Sequence, residues 1–283
     1  MKVYVDFDHT LYNTKQLISK MINCIADYIY DNGDFEKYSE NFKKAFPNIE
    51  EIPIPKDKNK IKEVLRANFK RPDETTLNIK YNVFELAKKF AELFSCNYEK
   101  IEEKIDATLD NGKDNLYNDS EKFLKDLKAD GNEVYILSHE GNDLSFQDKK
   151  IKGAGVFDEK LLNGVIITKI SKAELNEENY NDSENTLVNM TSPKYARPAE
   201  VDYEHGVFID DRPKDLENLY KSAYKGYQPP FKIRIYRMAR DNGTYSSKEL
   251  DNRCKNGVVK FKNFEEIFKA LDSQTNSSKG SER

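Results

Sequence analysis

The sequence predicts an α/β protein: a three-layer core with a mostly parallel sheet, interrupted after its first strand by a helical insert. Three observations predict it. From residue 118 onward, short β-branched and aromatic runs alternate with amphipathic segments, as parallel strands joined by crossover helices do. Between 14 and 117 only helical spacing recurs. A lone strand-like run, KVYVDF at 2–7, stands ahead of that stretch, so its partners must come from the second half of the chain.

Each element follows from local pattern. After KVYVDF, residues 14–31 carry apolar side chains at three- and four-residue spacing, with Thr14 as N-cap and Asn32-Gly33 as stop. Helices are predicted at 35–45, 58–69, 82–95 and 97–109, parted by Pro53-Ile54-Pro55 and Arg71-Pro72-Asp73. Ser120–Ala129 is helical and Gly131 closes it. Glu133–Leu137 reads as a strand, Leu144–Lys152 as a helix, Gly164–Thr168 as a strand, and Ser171–Leu175 as the opening of a short helix. The Asn- and Glu-rich stretch 176–204 has weak periodicity and is read as an irregular insertion within the core. Gly206–Ile209 is a strand and Pro213–Ala223 a helix with Pro in its first turn. Lys232–Tyr236 and VVKF at 258–261 are strands, and Asn263–Leu271 is the closing helix. The tail 274–283, QTNSSKGSER, has the composition of disorder. The expected organisation is thus a core from 1–13 and 118–273 with a helical domain at 14–117.

Composition sets limits. The 283 residues exceed the usual single-domain size, which suits a core carrying a large insert. Hydrophobic content is 37% against 34% charged, and 16 Phe and 17 Tyr supply the apolar faces. A net charge of -4, from 46 basic and 50 acidic residues, gives no support for nucleic-acid binding. Cys24, Cys96 and Cys254 have no zinc spacing and fit a reducing compartment; three His without HExxH argue against a histidine metal site. No run has signal-peptide or membrane-spanning length, so a soluble cytoplasmic protein with no membrane partner is expected.

Three strands end in groups with chemistry: Asp6-Phe7-Asp8-His9-Thr10, Ser138-His139-Glu140-Gly141-Asn142, and Asp210-Asp211-Arg212-Pro213. In a parallel sheet these ends share one edge, where ligands bind. Asp6, Asp8, Asp210 and Asp211 would repel one another without a cation. All-oxygen ligation by few carboxylates suits Mg2+, which keeps waters and binds substrate phosphate. An aspartate can then attack phosphorus as a nucleophile, while a carboxylate two residues on protonates the leaving oxygen and activates water. The Ser138 hydroxyl, backbone N–H groups and a lysine would hold the transferring oxygens.

These motifs resemble those of the haloacid dehalogenase-like phosphohydrolases. The first, DxDxT, stands as Asp6-x-Asp8-x-Thr10; the second, a Ser or Thr after an apolar strand, as Ser138; the fourth, an acidic pair, as Asp210-Asp211. The resemblance covers about 1–13 and 118–271, and the long helical gap is similar to that family's inserted cap. It implies a Rossmann-like core, and an Mg2+-dependent phosphatase acting on a small phosphorylated substrate that enters between core and cap. Asp6 would be nucleophile and Mg2+ ligand, and Asp8 general acid/base and ligand through its backbone carbonyl. Thr10, Ser138 and His139 would contact substrate. Asp210 would ligate Mg2+, with Asp211 or Asp215 helping through water. The third motif, a phosphate-binding lysine, has three candidates: Lys172, at the best-matching position, Lys169 and Lys194. The acid at position 8 argues against dehalogenation. Two other readings are a non-catalytic binding protein on the same fold, and a phosphatase acting on nucleotides or polynucleotide ends. Oligomeric state is not legible.

Each motif alone has a plainer reading. Two acids after a strand are often an Asx turn, Ser138 a helix cap, and Asp210-Asp211 an acidic helix start. The lysine-rich run 56–63 reads as a solvated helix face, the tyrosine-rich helices as core, and His9 and His205 as supporting residues. The weight lies in the order of the motifs and in their common place at strand ends.

Overall fold

The computed structural model describes residues 1–45, 57–69, 82–141, 143–195, 201–203, 205–212, 215–216, 218–219, 234–238, 258–261, 265–267 and 269. The tail 274–283 and Cys254 lie outside them. Of the helices expected at 213–223 and 263–271, residues 215–216, 218–219, 265–267 and 269 are described, and these are helical.

The described strands are β1 (Lys2–Val5), β2 (Glu133–His139), β3 (Gly164–Thr168), β4 (Thr186–Met190), β5 (Val207–Asp210), β6 (Arg234–Met238) and β7 (Val258–Phe261). They form one sheet in the order β4-β3-β2-β1-β5-β6-β7. Every neighbouring pair is parallel except β3 with β4. The first strand of the chain therefore sits in the middle, with Val3–Val5 paired to Val134–Ile136 on one side and Val207–Ile209 on the other.

Side chains in a strand point alternately to the two faces. Tyr4, Tyr135 and Phe208 share a register, and their rings stack across β2-β1-β5 at 5.7 and 4.9 Å between centroids. On the opposite face Val3, Val5, Ile136 and Ile209 are buried as well. Both faces being covered explains why these runs are continuously apolar rather than alternating. Helix α6 (Ser120–Ala129) packs on β2, and α7 (Leu144–Gly153) on β3.

The stretch 176–204, expected to be irregular, holds a short helix, α8 (Glu177–Tyr180), and the antiparallel edge strand β4. An edge strand has one ladder neighbour and half-buried side chains, so it needs no apolar run; Asn185 and Asn189 hid it. Gly164 is where β4 closes on β3: a Cβ there would lie 2.8 Å from the carbonyl oxygen of Asn189. Ser171–Leu175, expected to open a helix, is a turn closed by the Glu174 amide donating to the Ser171 carbonyl at 2.9 Å.

Asn163 splices β2 to β3. Its side-chain oxygen accepts from the Val134 amide and the Lys128 ammonium, both at 2.8 Å, and its own amide donates to the Val134 carbonyl at 2.7 Å. Asn163→Ala strands a buried amide, so a loss of about 1–3 kcal/mol is expected in urea unfolding. An unchanged midpoint would show that the splice contributes nothing.

The chain divides into two compact units, Met1–Thr14 with Gly112–Arg283, and Lys15–Asn111. Residues 112–117, expected with the helical domain, belong to the sheet-bearing unit. The Asn115 amide donates to the Tyr12 hydroxyl at 3.0 Å, and the Tyr117 amide to the Leu11 carbonyl at 3.1 Å. The other unit is helical: α1 (Thr14–Asn32), α2 (Phe35–Ala45), α3 (Lys58–Asn68), α4 (Val83–Leu93) and α5 (Tyr98–Asp110). The last three are capped by Asp57, Asn82 and Asn97, whose side chains accept backbone amides. Its core includes Leu17, Met21, Ile25, Phe90 and a Tyr38–Phe94 stack at 4.3 Å. Among the described residues no helix is long and apolar enough to cross a membrane.

Candidate active site

Three neighbouring parallel strands, β2, β1 and β5, deliver the chemistry to one edge. Beyond β1 the Asp6 amide still donates to Ile209, at 2.8 Å, so Asp6 is fixed by the sheet itself. The chain then curls back. Leu11 and Tyr12 donate to the Phe7 carbonyl at 3.0 Å, and His9 takes a left-handed backbone, φ 62°. That conformation is costly for a residue with a side chain, and it keeps Asp8 beside Asp6 rather than leading it away. Ser138 and His139 lie inside β2, two residues past the strand end expected from the sequence. Asp210 closes β5, and its Oδ1 accepts from the Arg212 amide at 2.7 Å.

Lys172 stands among the acids. Its ammonium donates to Asp6 Oδ1 and to Asp210 Oδ2, each at 2.6 Å, and its side chain is 3% exposed. Lys169 and Lys194, the other two candidates, are exposed; the Lys194 ammonium lies over the Tyr195 ring, 4.8 Å from its centroid. The Tyr203 hydroxyl reaches the carbonyl oxygens of Lys172 (2.6 Å) and Leu175 (3.0 Å) and so pins the turn that carries the lysine. Thr10 is buried and donates to Asp6 Oδ2 at 3.3 Å. The His139 ring contacts the Lys169 carbonyl at 3.0 Å. Asp215 is paired with Arg212 at 3.2 Å.

One group of carboxylates is short of cations. Oxygens of Asp6, Asp210 and Asp211 lie within 4.8 Å of one another, and all three residues are buried. Both Asp211 oxygens are buried without a hydrogen-bond partner among the described residues. Burial, and then the nearby Asp210 and Asp8, push the Asp6 carboxyl up to about 7, against the pull of Lys172. Burial and the charges of Asp6 and Asp210 push Asp211 well above the usual carboxylate range. Burial alone would lower the Lys172 ammonium; Asp210 and Asp6 outweigh it and hold it up. An orphaned buried carboxylate beside two others is the donor set a hard, oxygen-seeking cation takes, so the residues fit Mg2+.

Asp8 has a different environment. Burial would raise it, but the charge of Lys150 and hydrogen bonds from Lys150, Thr14 and Gln147 hold it below its ordinary range. The Lys150 ammonium donates to Oδ1 and the Gln147 amide to Oδ2, each at 2.6 Å. The hydroxyl of Thr14, expected only to cap a helix, also donates to Oδ1. Sequence reasoning missed all three. Lys150 lies in the run Lys149-Lys150-Ile151-Lys152, where nothing separates a buried lysine from its solvated neighbours.

No family model matches the sequence, and no curated protein matches it. Solved structures do. A haloacid dehalogenase-like hydrolase from Burkholderia xenovorans is 14% identical with a TM-score of 0.52, and the match covers 93% of this chain and 94% of that one. The HAD-hydrolase YfnB from Bacillus subtilis, bound to magnesium, is 14% identical over 95% and 97% of the two chains at a TM-score of 0.48. A haloacid dehalogenase-like family hydrolase from Xanthomonas campestris is 16% identical over 98% of each chain at 0.45.

Proposed function

We propose that the chain, which shares the fold of a haloacid dehalogenase-like hydrolase, is an Mg2+-dependent phosphatase that hydrolyses a small phosphate monoester through Asp6. The observation that carries this reading is the buried meeting of Asp6, Asp210 and Asp211 with Lys172 at the C-terminal edge of the sheet. A core built only for stability would not gather carboxylates in excess of cations. Asp6, Asp210 and Asp211 would hold the ion, with the Asp8 backbone carbonyl. Bound there, Mg2+ supplies positive charge that offsets the acids and the transferring phosphoryl oxygens.

Asp6 attacks phosphorus; the bond from phosphorus to the ester oxygen breaks and an aspartyl-phosphate forms. The Ser138 hydroxyl and Lys172 hold phosphoryl oxygens, and Thr10 orients Asp6. Asp8 stands ionised at rest, so the proton it passes to the leaving oxygen arrives with the substrate monoanion. As a carboxylate it then takes a proton from the water that attacks the aspartyl-phosphate; the bond from phosphorus to Asp6 breaks, the proton leaves with the released phosphate, and Asp6 and ionised Asp8 are regenerated. Cys24 and Cys96, both free thiols, suit the reducing cytoplasm proposed as its location.

The test is phosphate release from 4-nitrophenyl phosphate. Turnover is expected with Mg2+ and not with excess EDTA. In parallel, beryllofluoride with Mg2+ is expected to raise the melting temperature. Absence of both effects would favour a non-catalytic binding protein.

The raised Asp6 pKa gives a pH signature. The folded carboxyl keeps its proton to about pH 7, whereas an unfolded aspartate loses it near pH ~4. Between those values the folded chain binds more protons, so metal-free stability should fall as pH rises across that window, and Asp211, raised likewise, adds to the fall. Saturating Mg2+ should remove most of the fall. Melting curves from pH 4 to 8, with and without the metal, check this; a metal-independent profile would contradict the assigned ion site.

A further inference from the structure

Two residues of α7 are buried polar groups that take no part in the steps above. Gln147 and Lys150 are three positions apart, so they share one helix face. Gln147 is 0% exposed and Lys150 2%. Neighbouring Lys152 shows what a lysine here ordinarily does: it is half exposed and pairs with Asp148 along its own helix. Burying Lys150 instead costs its hydration, and the Asp8 carboxylate and the faces of Phe7 and Phe146 compensate, with ring centroids 5.8 and 5.6 Å away.

Gln147 makes two bonds from one nitrogen. Its amide donates to Asp8 Oδ2 at 2.6 Å and to Ser138 Oγ at 2.7 Å. An amide nitrogen carries two hydrogens, so both bonds form together and fix the plane of the side chain. Ser138, as acceptor, has its own hydroxyl hydrogen left to donate elsewhere. On the other side of the carboxylate, Lys150 and Thr14 both donate to Oδ1. Donors on both oxygens, from α7 and from the start of α1, stop the carboxylate from rotating. A structural ion pair would need Lys150 alone; it would not need a bridge from the same acid to Ser138.

We propose that Gln147 and Lys150 are positioning residues for phosphoryl transfer. They hold the Asp8 carboxylate at the angle that serves the leaving oxygen, and they tie it to Ser138, so that the proton-transferring and phosphate-holding groups keep a fixed separation. Such fixing matters because small misplacements cost rate steeply. The inference rests on the reading of Asp8 as general acid/base.

The test compares two substrates at saturating Mg2+. Phenyl phosphate has a basic leaving oxygen that needs a proton; 2,4-dinitrophenyl phosphate has one that does not. The value of kcat/KM reports the first transfer alone. For Gln147→Met, Lys150→Met and Asp8→Asn it should fall on the order of 10²-fold with phenyl phosphate, and by less than about threefold with the dinitrophenyl ester. Dinitrophenol should appear in a burst, because the second step still needs Asp8. Lys150→Arg should recover most of the loss. Equal losses on both substrates in the α7 variants, with Asp8→Asn still discriminating, would overturn the positioning role and leave the Asp8 reading intact. If Asp8→Asn does not discriminate, or the wild-type protein shows no Mg2+-dependent turnover, the reading of Asp8 fails and the positioning role with it. Should Lys150→Met not fold, Gln147→Met decides.

Discussion

Asp6→Asn is expected to lose at least about 10³-fold in Mg2+-dependent phosphate release, because the amide cannot attack phosphorus. Inactivity alone would not distinguish chemistry from misfolding; the electrostatics of the site do. Asp6 is buried beside Asp210 and Asp211, and its carboxyl is pushed up to about 7. Above that value, with no metal bound, the wild-type protein carries the Asp6 charge in a buried cluster of acids. A neutral amide of the same shape removes one of them, and Lys172 keeps its bond to Asp210. Metal-free Asp6→Asn protein should melt no lower than wild type at pH 8 and gain less from added Mg2+. Activity assays and melting curves on the same preparations check both halves. Residual turnover close to wild type would move the nucleophile elsewhere.

Lys172→Met should act the other way. The variant removes the ammonium that donates to Asp6 and Asp210 and leaves three buried acids without it. Breaking a buried pair from one side costs about 3–5 kcal/mol. In a unit of this size that lowers the melting temperature by on the order of 10 °C. Mg2+ should restore part of the stability, since it supplies charge to the same carboxylates, but should not restore activity, since the phosphoryl oxygens lose a donor. A metal-free melting temperature equal to wild type would mean that the acids do not depend on Lys172. Opposite stability changes at two contacting residues would be hard to obtain from any arrangement other than an acid cluster short of cations.

The fold was largely legible because a parallel sheet buried on both faces leaves a strong trace. VYV, VYIL, GVII and VFI are apolar without interruption, and their order along the chain implies crossover helices. What escaped was half-buried. β4 pairs with one neighbour and keeps partly exposed side chains, so TLVNM carries little hydrophobic signal. At the site, Asp6, Ser138 and Asp210 were legible because each follows an apolar run whose direction places it. Lys172 was harder. The turn that carries it is set by the Tyr203 hydroxyl, a contact between segments 31 residues apart. Gln147 and Lys150 were not legible at all. Their identity depends on which face of α7 meets Asp8, and the amphipathic pattern of that helix, with buried Gln and Lys among its inward residues, does not distinguish that face.

The central place of β1 has a consequence for how the chain acquires its structure. During synthesis KVYVDF emerges before any strand it can pair with; its register partners begin at Glu133 and Val207. Until β2 is made, the segment bearing Asp6 is a strand with both edges open, the state most exposed to aggregation and to chaperone capture. The helical unit, made of local contacts, needs nothing from the rest of the chain to begin folding. The sheet cannot close around β1 until residues beyond 207 are made. The carboxylates therefore come together only once β5 is made, and termination between β2 and β5 would leave the strand that leads to Asp6 open along one side.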